Sequence, residues 1–126
     1  MNAEAQHQTA LMAWANRNRR YYPELCLLYH VPNGGKRDSK EAANLKRQGV
    51  KAGVPDLCLP VARCGYHGLY IELKVGNNKQ TQAQKEWQYL LNGQGYLSVV
   101  CYGFYEAAEV LEKYISGTYK EVEEGI

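Results

Sequence analysis

The chain has 126 residues and a formal net charge of +2, with 45% hydrophobic and 22% charged residues. That length holds one core and excludes a multidomain enzyme, and the composition excludes a disordered chain or a fibre. Apolar runs such as Leu25 to Tyr29 fall far short of the ~20 residues that span a bilayer, and the start, Met-Asn-Ala-Glu-Ala-Gln, lacks a basic then apolar leader. The expected compartment is a cytoplasm, with no membrane partner.

Residues 3 to about 20 predict a helix, with Leu11, Trp14 and Ala15 on one apolar face and Pro23 beyond its end. Glu4 shares a face with Gln8, Leu11 and Ala15, so an acid continues a core-directed stripe and needs a partner or a metal; a favourable charge near a helix N-terminus accounts for it equally well. Leu25 to Val31 predicts a strand, ended by Pro32-Asn33-Gly34-Gly35. Asp38 and Glu41 have capping-box spacing and open a second helix that closes at Gly49. Lys40, Asn44 and Arg47 line one face of it, with Lys51 just beyond, a stripe suited to phosphate contacts.

Val54 to Leu59 and Leu69 to Val75 predict two strands of a hairpin joined by residues 60 to 68. Thr81 and Gln84 make a second capping box, launching a helix through Trp87, Leu90 and Leu91 to Gly93 or Gly95. Leu97 to Tyr102 predicts a fourth strand, and Tyr105 to Ile115 a last helix with Ala108, Leu111 and Ile115 inward. The order is α β α β β α β α, an α/β domain with a short mixed sheet between helices.

Charge is unevenly placed. Residues 106 to 126 carry six glutamates against Lys113 and Lys120, so the rest of the chain is markedly basic. Arg17, Arg19 and Arg20 form one cluster, and Lys36, Arg37, Lys40, Lys46, Arg47 and Lys51 another, a distribution that points to a polyanion partner or to a solvated helix face. Cys26, Cys58, Cys64 and Cys101 lack metal-ligand spacing and read as small buried hydrophobes. No phosphate-binding glycine motif follows Gly34-Gly35, which disfavours a nucleotide cofactor, and no acyl-transfer triad is spaced around the serines. Eleven tyrosines among fourteen aromatics suit either strand packing or base stacking.

The chemistry concentrates in two strands. Asp56 is one of only two aspartates and stands where a strand begins, a place Asp disfavours. Alternation sends Glu72 and Lys74 to one face of the next strand and Ile71, Leu73 and Val75 to the core. A hairpin brings Asp56 beside Glu72, and two carboxylates so close call for a shared proton or a hard cation such as Mg or Mn. Lys74, ~7 Å along the strand, supplies a fixed positive charge for a phosphate oxygen or helps orient an attacking water.

Pro32-Asn33-Gly34-Gly35, Leu45 through Leu57, Gly68 through Lys74, Thr81 through Trp87 and Gly95-Tyr96, in that order, resemble the VRR-NUC family of PD-(D/E)XK nucleases, in its small stand-alone bacterial or phage form. The resemblance implies a single nuclease domain over residues 1–117 with an acidic tail at 118–126, built on a restriction-endonuclease-like core. It implies metal binding by Asp56, Glu72, the Leu73 carbonyl and the helix acid Glu4, with Lys74 as active-site lysine and Gln84 beside the site. Asn33, Lys36, Arg37, Lys46 and Arg47 are then phosphate contacts, and the activity is metal-dependent endonucleolytic cutting of branched DNA such as Holliday junctions, by a homodimer in a bacterial host cell. Cutting of flaps, forks or plain duplex, and a nuclease fold that only binds nucleic acid, are the competing expectations.

Overall fold

The structure is a computed structural model that describes residues 2–32 and 38–121. Helix α1, Ala3–Asn18, starts where the Asn2 side chain accepts from the Ala5 N–H at 2.8 Å, and it buries Leu11 and Ala15. The segment expected to be a long strand instead opens as a 3-10 helix, Pro23–Leu27, and only Tyr29–His30 forms β1. Leu25 and Leu28 are buried while Cys26 and Leu27 are exposed, a period of three that matches 3-10 and not strand geometry. Cys26 is therefore not a buried hydrophobe; Cys58 and Cys101 are, and Cys64 is partly covered.

Helix α2, Ser39–Arg47, is capped by Asp38, whose carboxylate accepts from the Glu41 N–H at 2.7 Å, and none of its residues is buried. Strand β2 is the short Leu57–Leu59, so Asp56 stands just outside it, and β3 is Leu69–Lys74. Helix α3, Gln82–Gly93, carries the expected capping box. Strand β4, Leu97–Tyr102, and helix α4, Phe104–Ile115, complete the chain order.

The sheet runs β1-β2-β3-β4, antiparallel up to β3 and parallel between β3 and β4. Helix α3 is the crossover between the two parallel strands. Leu57, Leu59, Leu69, Ile71, Leu73, Leu97 and Cys101 project from one face into a core with Leu11, Ala15, Leu111 and Tyr114 from α1 and α4. Each fully buried leucine contributes about 1.5–3 kcal/mol relative to exposure. Tyr114 is also fully buried, and its hydroxyl donates to the Val61 carbonyl at 2.5 Å, so its polar end is satisfied. Beyond Gly117, Tyr119 packs on the core and Glu121 accepts from the Tyr66 hydroxyl at 3.0 Å.

The other face of the sheet is partly covered by α3, whose Gln88 and Asn92 side chains bond the main chain of Ser98. On β3, interior to the sheet between β2 and β4, Glu72 and Lys74 are only 3% and 8% exposed. The alternation is as expected, but the polar face is buried rather than solvated. Among the described residues no helix is long and apolar enough to cross a membrane.

Candidate active site

Continuing the β2–β3 register one step past Leu57 and Ile71 sets Asp56 opposite Glu72. Asp56 is held at three points. Its Oδ2 accepts from the Leu73 N–H at 2.8 Å. Its main-chain carbonyl accepts from the Val31 N–H at 2.7 Å and faces His30 Nδ1 at 2.9 Å. A carbonyl only accepts, so His30 carries a proton on Nδ1 in this contact. His30 was not expected to touch the site; no local spacing signals a bond across 26 residues.

Glu72 is the outlier. Its Oε1 is buried with no hydrogen-bond partner, a state that ordinarily costs ~1–3 kcal/mol or more. Burial first, then the hydrogen bond and the charge of Asp56, push its pKa up to about 9, against the lowering effect of Lys74, so the carboxyl bonds Asp56 while Oε1 alone is left without a partner. Glu4 is also raised, by burial, then by Asp56, and is drawn down by Lys74. The structure thus brings Glu4, Asp56, Glu72 and Lys74 into one electrostatic cluster.

Glu4 reaches it because α1 is pinned at its N-terminal half. His7, one turn on, accepts from the Phe104 N–H through Nδ1 at 2.8 Å, and the Gly103 N–H donates to the Lys74 carbonyl at 2.8 Å. One ring nitrogen therefore caps α4 and docks α1 over the end of β3. His7→Ala is expected to destabilise the protein by about 1 kcal/mol, as lost helix caps do, and to lower the raised pKa of Glu4; urea denaturation and a carboxyl NMR titration check both.

The donors are all hard oxygens, two carboxylates face each other, and one oxygen lacks a partner. That set fits Mg2+ or Mn2+. Among the described residues no three His, Cys, Asp or Glu side chains are grouped as a metal cage, but Mg2+ keeps several waters and needs only one or two carboxylates.

Gln84 closes the capping box: its Oε1 accepts from the Thr81 N–H at 2.8 Å, and its own N–H donates to Thr81 Oγ1 at 3.2 Å. The same turn of α3 abuts Gly53, which leads to Asp56. Lys40, Lys46, Arg47 and Lys51 are exposed, and the Arg47 guanidinium bonds the Asn44 side chain, so the basic stripe forms an open face. Asn33, Lys36 and Arg37 lie outside the described residues.

A family model described as VRR-NUC domain matches residues 2–105. A solved structure described as a VRR_NUC domain protein is 39% identical, with a TM-score of 0.78 over 91% of this chain and 89% of that one. A comparison with curated proteins finds no match.

Proposed function

The chain belongs to the VRR-NUC family, and from that premise we propose that it is a Mg2+- or Mn2+-dependent endonuclease that hydrolyses DNA phosphodiesters, preferring branched DNA and working as a homodimer. One observation carries the reading: Glu72 buries a carboxylate oxygen without a partner, directly beside a second carboxylate. A fold that only bound nucleic acid gains nothing from that cost.

In this reading Asp56 and Glu72, with the Leu73 carbonyl and Glu4, would hold the metal. When bound, the ion would supply positive charge that makes water more acidic and offsets charge on the phosphate. Asp56 is oriented by the Leu73 N–H, so a change at Asp56 is transmitted directly to the neighbouring strand. Lys74 stands two residues along the same face, ~7 Å from Glu72 by strand rise, and its buried ammonium holds an anionic oxygen or orients the attacking water. The Lys40, Lys46, Arg47 and Lys51 face takes up flanking phosphates, which makes binding fall with added salt. Gln84 stiffens the turn beside the site.

The test is a labelled four-way junction, a fork, a flap and a duplex incubated with Mg2+, with Mn2+ and with EDTA. Metal-dependent product is expected, most from the branched forms, and Asp56→Ala and Lys74→Ala are expected to lose at least ~100-fold in cleavage, the scale of losing one charge-stabilising group, while retaining DNA binding. Binding without metal-dependent product would leave only the nucleic-acid-binding reading. Light scattering of the free protein tests the homodimer.

A further inference from the structure

On the same sheet face as the carboxylates lies an aromatic row that the hydrolytic chemistry does not use. Register places Tyr29 of β1 opposite Cys58 of β2, Cys58 opposite Tyr70 of β3, and Tyr70 beside Ser98 of β4. Both phenols interact with the buried Cys58 thiol between them. The next row, one pleat period or ~7 Å away, is Asp56 and Glu72.

This row is extended by built contacts. The Tyr70 and Tyr96 rings meet edge to face at 5.5 Å, and Tyr96 and His67 at 5.7 Å. His67 donates its N–H to the Gly95 carbonyl at 2.9 Å, and Gly95 sits at φ +88°, where an added Cβ would lie 2.7 Å from the imidazole. Tyr96 in turn lies against Gly68, at 3.4 Å from where a Cβ would be. Two glycines thus make room for the rings, which are held in place yet open at one end: Tyr29 is 50% exposed.

Resting on the nuclease reading above, we propose that Tyr29 and Tyr70 form a stacking shelf for an unpaired base of the substrate, next to the phosphate at Asp56 and Glu72. The occupant is a base because, among the described residues, the row of Tyr29, Cys58, Tyr70 and Ser98 presents aromatic rings and no charged side chain, and because it continues the face that holds the carboxylates; a paired base inside a duplex presents no free ring face to it. The shelf therefore selects substrates with an unstacked nucleotide at the cut, which is what a branch point provides.

The experiment uses the binding-competent Glu72→Gln protein and DNA carrying 2-aminopurine, either unpaired at a branch or paired within a duplex. Quenching of the unpaired probe on binding is expected, with little change for the paired one. Adding Tyr29→Leu is expected to remove most of the quench, and Tyr29→Phe to keep it. In the otherwise wild-type chain, Tyr29→Leu is expected to lower kcat/KM on branched DNA about tenfold, within the range for losing one base stack, and Tyr29→Phe to restore it. Unchanged quenching and cleavage in Tyr29→Leu, or an equal loss in Tyr29→Phe, overturns the shelf. Absence of metal-dependent cleavage by the wild type overturns the nuclease reading instead, and the quench on binding still reports on the shelf. Tyr29 sits at a short edge strand and is half exposed, so the Leu variant is expected to fold; circular dichroism checks it.

Discussion

Glu72→Gln is expected to abolish cleavage and at the same time to make the metal-free protein more stable at pH 8. The buried carboxyl has its pKa pushed up to about 9, by burial first and then by Asp56, whereas in the unfolded chain it lies near the ordinary glutamate value of 4.5. A raised folded pKa means that the native state holds a proton the unfolded chain has released. The stability this lends is complete below the unfolded value and is lost as pH rises through the folded value. Between about pH 5 and pH 9 the metal-free wild type is therefore expected to lose on the order of 1 kcal/mol per pH unit from this group. Glutamine carries no titrating proton, so the slope should shrink across that window and the variant should be the more stable at its upper end. Urea denaturation in EDTA at pH 5.5, 7 and 8.5 reads this out. A metal that binds only the folded state should raise the wild type's stability by RT ln(1 + [L]/Kd) and the variant's far less. A wild type as stable at pH 8.5 as at pH 5.5 in EDTA would mean that Glu72 is neither desolvated nor pressed by Asp56, and the case for a metal between them would go with it.

Local patterns foretold the elements that local physics decides. Both capping residues, Asp38 and Thr81, bond the backbone as their spacing predicts, and the inward set Ala108, Leu111 and Ile115 of α4 is buried. The hairpin was legible because alternation and a run of turn residues both marked it. The 3-10 helix was not, because the apolar run from Leu25 to Val31 is too short for periodicity alone to divide between strand and helix, and only the burial of Leu25 and Leu28 against α1 settles its period. Site geometry divides the same way. Glu72 and Lys74 were visible from strand alternation and Asp56 from its place at a strand entry; the burial of Glu72 and Lys74 depends on β3 being flanked by β2 and β4 and on α1 arriving from a distant part of the chain. The supports, His7 on the Phe104 N–H and His30 on the Asp56 carbonyl, span 97 and 26 residues, and an isolated histidine carries no local sign of such a bond.

Gly53→Ala is the substitution expected to cost most outside the carboxylates. Gly53 sits at φ +91°, where an L residue is strained by roughly 1–2 kcal/mol, and its added Cβ would lie 2.6 Å from the carbonyl carbon of Ala83, 2.7 Å from its oxygen and 2.9 Å from its Cβ. Backbone in the first turn of a capped helix cannot step aside as a flexible side chain does, so either the loop or α3 must move. The loop leads in three residues to Asp56, whose hold on the Leu73 N–H has little slack at 2.8 Å. A loss of about 3 kcal/mol or more in stability is expected, with cleavage falling further than stability alone explains, since the shift is delivered to Asp56. Gly49→Ala separates the two causes. Gly49 has φ +105° but nothing within 4 Å of a new Cβ, so it is expected to lose only the ~1–2 kcal/mol of backbone strain and to keep its cleavage. Equal destabilisation of the two variants by urea titration would show that the approach of Gly53 to Ala83 is not what holds the Asp56 loop in place.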